Sequence, residues 1–306
     1  MKKILLAIFF VALLFSCAKK AKNDPDRPLK IGVIQFVAHP ALDRSLQGFK
    51  DSLKKDHKNI TFIVKNANGE ISTANIIASS FEREHVDLIY AIATPSAQAA
   101  MHATTNIPII FSAVTNPKDA GIVAPNITGV SDYVDIQEQL SMVNKIDKKI
   151  KTIGVLYNSS EANSLATVAL LKKACANLNL NLELKSVTQI SEVPQAVKYL
   201  VTKVDAIYTP TDNLIASVLP IISDEAIAQK KIVIGSEKAH VEAGALITKG
   251  IDYFKLGQRA GSMANDILFK NVKVSSIPVA TMPLSDISIN NDTLKKLGIT
   301  LPSDLK

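Results

Sequence analysis

The sequence predicts an α/β protein of two similar lobes, each a parallel sheet covered by helices on both faces. Three observations carry this. Short apolar β-rich runs alternate with amphipathic helical stretches from residue 29 onward, the pattern of βαβ units. The same programme restarts roughly 120 residues later, as a long-period internal repeat does. The chain has 306 residues, 47% hydrophobic and 21% charged, enough for two medium domains with a core each.

The first segment stands apart from that pattern. Met1-Lys2-Lys3 is a cationic start, and Ile4 to Phe15 is an apolar run too short to span a bilayer comfortably. Leu14-Phe15-Ser16-Cys17 reads as a lipobox, with residues 1–16 removed as a signal peptide and Cys17 lipidated. A plain secretory signal or a poor transmembrane helix is the alternative. Acyl chains add about 0.8 kcal/mol per buried methylene, so a multiply acylated cysteine anchors stably. Residues 17–28 are polar, charged and proline-bearing, a linker that holds the fold off the membrane.

The elements follow in order. Lys30-Ile-Gly-Val-Ile-Gln-Phe36 is a strand. Leu42, Leu46, Phe49 and Leu53 recur at helical spacing. Thr61 to Val64 is a second strand, and a helix runs through Ile76, Ile77 and Phe81. Asp87 to Ala93 is a third strand, after which Pro95 opens a helix, where its missing N–H costs nothing. Ile107 to Phe111 is a fourth. In the second half, Thr152 to Asn158 echoes Lys30 to Phe36. Asp205-Ala-Ile-Tyr208 echoes Asp87-Leu-Ile-Tyr90, and Ile232 to Ser236 echoes Ile107 to Ser112. Generic buried strands share composition, so the echoes alone leave coincidence open.

Ligands of open parallel sheets sit beyond the carboxyl ends of the strands. In the first lobe those ends carry Gln35, Phe36 and His39, then Thr94, Ser96 and Ala97, then Val114 and Thr115. In the second they carry Tyr157, Asn158, Ser160 and Glu161, then Asp212 and Asn213, then Ser236 and Glu237. The Thr94-Pro95-Ser96-Ala97 turn is the sharpest feature. A helix N-terminus with two hydroxyls can hold a carboxylate, although threonine and serine also cap helices without any ligand. Asp212 with Asn213 is open to the same two readings, a helix cap or a partner for an ammonium.

Catalytic motifs are missing from the sequence. There is no G-x-S-x-G elbow, P-loop, G-x-G-x-x-G fingerprint or H-E-x-x-H. The expectation is therefore no enzyme, no catalytic residue, no metal and no cofactor. Cys17 and Cys175 cannot form a C-x-x-C site, and two cysteines exclude a disulfide framework. Zero Trp and 5% aromatics argue against a nucleic-acid partner. The net charge of +7 is spread out, and the Lys-rich stretch 144–151 reads as a solvated face.

Longer segments carry a resemblance. They are Ile31 to Pro40 (IGVIQFVAHP), Ala93 to Gln98 (ATPSAQ), Ala113 to Pro117 (AVTNP) and Asn126 to Asp132 (NITGVSD). They continue in Gly154 to Ser164 (GVLYNSSEANS), Asp205 to Asn213 (DAIYTPTDN) and Gly250 to Gly257 (GIDYFKLG). In this order the chain resembles substrate-binding lipoproteins of ATP-driven ABC importers, in the subfamily that includes tryptophan-binding, TrpX-like members. The resemblance implies a type I periplasmic-binding-protein fold: two Rossmann-like, doubly wound lobes joined by three hinge crossings. It places residues 29–133 plus 251–272 in the N-terminal lobe and 134–250 plus 273–306 in the C-terminal lobe. Crossings are expected near Asp132, itself a candidate ligand contact, near Ile251-Asp252 and near Val272.

The implied function is capture of a small ligand, an L-amino acid with an aromatic side chain favoured, tryptophan or phenylalanine. Thr94 and Ser96 would take its carboxylate and Asp212 its ammonium, with Phe36, Tyr157 or Tyr208 beside the ring. The implied partners are an ABC permease with its ATPase and, through the lipid anchor, the membrane on its periplasmic or extracellular face. A monomer is expected. Two alternatives stay open: an anchored α/β hydrolase-like enzyme using a serine, His39 and an aspartate, and a ligand-sensing lipoprotein without transport.

Overall fold

A computed structural model describes residues 27–305, with 56 and 58 excepted. The expected signal peptide, Cys17 and most of the linker lie outside the described residues. The first lobe is built from β1 (Leu29–Gln35), α1 (Pro40–Lys54), β2 (Ile60–Asn66), α2 (Ile71–Arg83), β3 (Leu88–Ile92), α3 (Thr94–Ala103), β4 (Ile109–Ser112) and β5 (Ile127–Ser131). The chain then crosses into α4 (Ile136–Ile146), β6 (Thr152–Asn158), α5 (Ala162–Asn177), β7 (Asn181–Val187), α6 (Val193–Val201) and β8 (Ala206–Thr209). It continues through α7 (Asn213–Ser217), α8 (Leu219–Ala228), β9 (Ile232–Gly235), α9 (Lys238–Glu242) and β10 (Ile247–Thr248). Last come α10 (Tyr253–Lys270), β11 (Ala280–Thr281), β12 (Ser288–Ile289) and α11 (Asn291–Leu297).

Two six-stranded sheets result, in the orders β11-β5-β4-β3-β1-β2 and β12-β10-β9-β8-β6-β7. All ladders are parallel except β10 with β12. The two orders are the same permutation, so the restart seen in the sequence is a structural repeat. The repeated aspartate does one job twice. Asp87 accepts a bond from Lys30 N at the start of β1, and Asp205 accepts from Lys151 N and Thr152 N at the start of β6.

Helix α10 returns from the second lobe to pack against α1. Two glycines permit that approach. A Cβ on Gly48 would stand 2.0 Å from the Phe254 carbonyl oxygen, and one on Gly257 would stand 2.0 Å from that of Ser45. Asp252 caps α10 by accepting from Phe254 N and Lys255 N.

The assignment of 273–306 wholly to the C-terminal lobe needs correction. β11 pairs with β5, so the chain stays on the first sheet through Thr281 and recrosses before β12. Thr128 Oγ1 donates to the Ile277 carbonyl at 2.8 Å and holds this segment along β5. A two-residue strand has no periodicity to read in a sequence. The last crossing therefore lies beside the one at Gly250, whose carbonyl accepts from Ser285 N, and not near Val272.

Candidate functional site

The carboxyl ends of both sheets face one another across a closed cleft. Thr115 Oγ1 and Thr211 Oγ1 meet at 3.2 Å from opposite lobes. Arg44 of α1 bonds both carboxylate oxygens of Glu242 on α9, at 3.0 and 3.1 Å. Between the lobes lies a cavity of about 10 Å³, room for one water-sized group. His39, Asp132, Asn163, Glu237 and Tyr253 border it, together with Thr211, Asp212 and Asn213. A groove of about 510 Å³ opens on the far side of Asn213, walled by Phe36 and Val37 from one lobe and by Asn158, Glu161, Ile190 and Leu214 from the other.

The cavity is rich in buried polar atoms without partners. They are both ring nitrogens of His39, Asp132 Oδ1, Asn163 Oδ1 and Glu237 Oε2. Three of these are acceptor oxygens. Asp132 is fixed through its other oxygen, Oδ2, which accepts from Tyr253 OH at 2.6 Å. Burial lifts the Asp132 carboxyl to about 6, against the pull of that bond. Burial also lowers His39, although Glu237 opposes the shift. At Glu237 burial pushes upward too, but His240, 3.0 Å from Oε1, and His39 outweigh it and hold the carboxyl below its usual range.

The start of α3 is the second concentration of unmet polarity. Thr94 and Ser96 are buried, and neither hydroxyl has a partner. Ala93, in the cap position, has φ 82° and a side chain that cannot cap. A ten-residue helix thus ends on orphan N–H groups with two free hydroxyls beside them. Ala113, at the end of neighbouring β4, also has positive φ and borders the cavity. Backbone strain of this kind collects at ligand sites.

Several expected residues do other work. Asp212 borders the cavity, but its Oδ1 caps α7 by accepting from Ile215 N, and its Oδ2 accepts from Asn158 N and Ser164 Oγ. Both its oxygens are thus bonded within the fold, as the cap reading expects, and the unpartnered oxygens of the cavity belong to its neighbours. Gln35 spends its amide on the Val37 carbonyl and on Asp43, fixing the loop after β1. Tyr208 is fully buried and donates to Gln139 Oε1 at 2.6 Å, so it belongs to the core and not beside a ligand ring. Val114 and Ala97 are buried apolar packing, and Ser160 is exposed. Tyr157 is half-buried. Ser236 is buried with an unpartnered hydroxyl, and its carbonyl accepts from Gln139.

Asn158, Glu161 and Asn213 form one unit. Glu161 accepts from the side-chain amides of Asn158, Asn163 and Asn213. Burial, then the neighbouring Asp212, raises Glu161 to about 7. Sequence reasoning missed Asn163, Thr211 and Tyr253, as well as the groove loops at 68–70 and 188–191. The strand-end rule would have found those loops had it been applied to β2 and β7 as well. His39, the histidine of the hydrolase-like alternative, forms no hydrogen bond with a serine or an aspartate.

A family model described as ABC transporter substrate binding protein matches residues 30–306. The chain belongs to this family. Substrate-binding proteins of this family are extracytoplasmic and work with an ABC transporter. A curated relative, the tyrosine-binding protein of Clostridioides difficile strain R20291, is 42% identical over 315 residues, 97% of this chain and 91% of its own. Among solved structures, a Streptococcus pneumoniae ABC domain in complex with L-Trp is 34% identical, with a TM-score of 0.86 over 91% of this chain and 97% of that one. The ligand-free, open structure of a substrate-binding protein with adhesive properties from Clostridium difficile is more similar in sequence, at 43%. Yet it superposes less well, with a TM-score of 0.68 over 90% of this chain and 97% of that one. Greater identity with poorer superposition on an open relative agrees with the interlobe contacts that close the present cleft. Among the described residues no helix is long and apolar enough to cross a membrane.

Proposed function

We propose that this substrate-binding protein captures a zwitterionic aromatic L-amino acid between its lobes and delivers it to an ABC permease. One observation carries the reading. Three unpartnered acceptor oxygens, on Asp132, Asn163 and Glu237, border a single cavity. A primary ammonium carries three donors and no acceptor. The carboxylate of the same ligand falls to Thr94, Ser96 and the start of α3, where backbone N–H groups and the helix dipole favour an anion. Among the described residues, no lysine or arginine lines the cavity or the groove. Such a lining suits a ligand that brings its own cation.

The aromatic class is supported by the relatives named for tyrosine and complexed with tryptophan. It is also supported by the groove beside the cavity, which Phe36 and Leu214 line. The anchor is proposed to be a lipidated Cys17, which holds the binding domain beside its permease, and the protein is proposed to act as a monomer.

Calorimetry on the chain from residue 18 onward tests this. The protein is unfolded and refolded to strip carried ligand, then titrated with L-amino acids, their des-amino analogues and their decarboxylated amines. Binding of an aromatic L-amino acid at one site per chain, with both analogue classes at least about tenfold weaker, is the expected result. A folded protein that binds no L-amino acid, or that binds the des-amino analogue equally well, overturns the reading.

A further inference from the structure

We infer that the groove beyond Asn213 receives the ligand's ring, and that Glu161 selects for a ring carrying a hydrogen-bond donor. This rests on the amino-acid reading above and adds the side chain to it. The cavity of about 10 Å³ accommodates an ammonium and little more, so the rest of the ligand needs adjoining space. The groove supplies about 510 Å³ and shares Asn213 with the cavity. Its walls come from both lobes, Phe36 and Val37 from one and Leu214 and Ile190 from the other, so closure builds a half-open slot for a ring. An aromatic ring of 150–250 Å² is mostly apolar surface with one polar handle at most, and it suits mixed walls of this kind.

Among the polar residues of that lining, Glu161 is a buried carboxyl group held by three amides. It is 2% exposed. Its Oε1 accepts one bond, from Asn158 Nδ2 at 2.9 Å, while Oε2 accepts from Asn163 and Asn213. A carboxylate offers about four lone-pair sites. Three amide donors occupy three of them and hold the group as an acceptor. The fourth, on Oε1, suits a phenol O–H or an indole N–H. Phenylalanine has neither, and its ring would leave that lone pair dry once the lobes close. A site built to bond a substrate donor rejects the analogue that lacks it far better than an apolar pocket rejects a missing methylene.

The experiment is a calorimetric panel of L-tyrosine, L-tryptophan and L-phenylalanine on the refolded wild type and on two variants, Glu161→Ala and Ser217→Trp. Ser217 lines the groove and is half-buried, so an indole there occupies the space without opening the core. The wild type is expected to bind tyrosine or tryptophan at least about tenfold tighter than phenylalanine. Glu161→Ala is expected to bring that ratio towards one, chiefly by weakening the ligand with the donor. Ser217→Trp is expected to weaken all three by at least about tenfold with an unchanged melting temperature. Phenylalanine binding as tightly as both others overturns the inference, with no variant needed. So does a ratio that survives Glu161→Ala, or full tyrosine affinity in Ser217→Trp. If the wild type binds no L-amino acid, the function proposed above fails as well. Binding without discrimination overturns this inference and leaves the amino-acid reading standing.

Discussion

Replacing Asp132 by asparagine removes one negative charge from the cleft and almost no volume. The side chain is buried, with Oδ2 held by Tyr253 OH at 2.6 Å and Oδ1 facing the cavity unpartnered. In the ligand-free protein that charge is a burden. Burial raises the carboxyl to about 6, above its value in an unfolded chain near 4, so the ionised form is disfavoured in the fold. The sign follows. Below about pH 4 the group is protonated in both states and costs nothing. As pH rises from 4 through 6 the folded state loses stability, up to about 3 kcal/mol at neutral pH. Asp132→Asn removes that penalty, so the ligand-free variant should melt at or above the wild-type temperature at pH 7. Its ligand affinity should move the other way. A charge-assisted bond to an ammonium is worth about 2–3 kcal/mol in such a setting, or roughly 30- to 150-fold in Kd. Wild-type affinity should also fall on acidification below about 6, by up to about tenfold per pH unit, while the variant loses this part of the dependence. The assay is calorimetric titration from pH 5 to 8 beside thermal denaturation. Unchanged affinity in a folded Asp132→Asn protein refutes the reasoning, and so does a fall in affinity matched by a fall in melting temperature.

Three further outcomes are expected. Thr94→Ala with Ser96→Ala removes both free hydroxyls at the start of α3. It should weaken an amino acid about thirtyfold and leave the corresponding amine unchanged in the same titration, since about 1 kcal/mol rides on each of two bonds. Gly257→Ala puts a methyl group 2.0 Å from the Ser45 carbonyl oxygen. Urea denaturation should show a loss of about 1–3 kcal/mol or more, as α1 and α10 are forced apart. Arg44→Ala breaks an interlobe pair that is 47% and 40% exposed. Such pairs contribute about 0.2–1 kcal/mol, so solution scattering should detect at most a several-fold shift towards open lobes, and ligand affinity should drop by no more.

Much of the fold is legible because buried parallel strands announce themselves. Ile31 to Ile34 and Leu88 to Ile92 are continuous apolar runs, and they are buried on both faces. The helix over residues 253–270 came only with the family resemblance, although Asp252 caps it and one face is apolar. β11 and β12 are two residues each and carry no pattern at all. The site was legible as a neighbourhood and not as an assignment of roles. Strand ends pointed to Asp212 and Glu237, and the family resemblance to Asp132, with nothing to rank the three acids. What separates them is bonding: Asp212 has two occupied oxygens, while Asp132 and Glu237 each keep one free. Residue type cannot reveal that difference, because it depends on Asn158 N and Ser164 Oγ arriving from other elements. Thr94 and Ser96 behave likewise. They mark a helix start in the sequence, and only the fold shows that neither caps it.

The unmet polar atoms also explain why closure should depend on ligand. His39, Thr94, Ser96, Asp132, Asn163, Ser236 and Glu237 all carry buried donors or acceptors without partners. Leaving such a group dry costs about 1–3 kcal/mol each. The direct bonds that join the lobes across the cleft are modest by comparison. One is a hydroxyl pair at Thr115 and Thr211, and another is the half-exposed pair at Arg44 and Glu242. Without ligand, opening lets water reach the orphaned groups and gives up little. With the proposed zwitterion in place, Thr94, Ser96, Asp132, Asn163 and Glu237 gain partners, and the closed state gains their worth while the open state does not. A ligand shifts a two-state equilibrium only by its difference in affinity for the two states. Here that difference is built in, because polar groups of both lobes meet only in the closed cleft. The poorer superposition on the open, ligand-free relative and the better one on the L-Trp complex fit that logic. A cleft whose polar groups were all satisfied internally would close without its ligand and offer the permease an empty carrier.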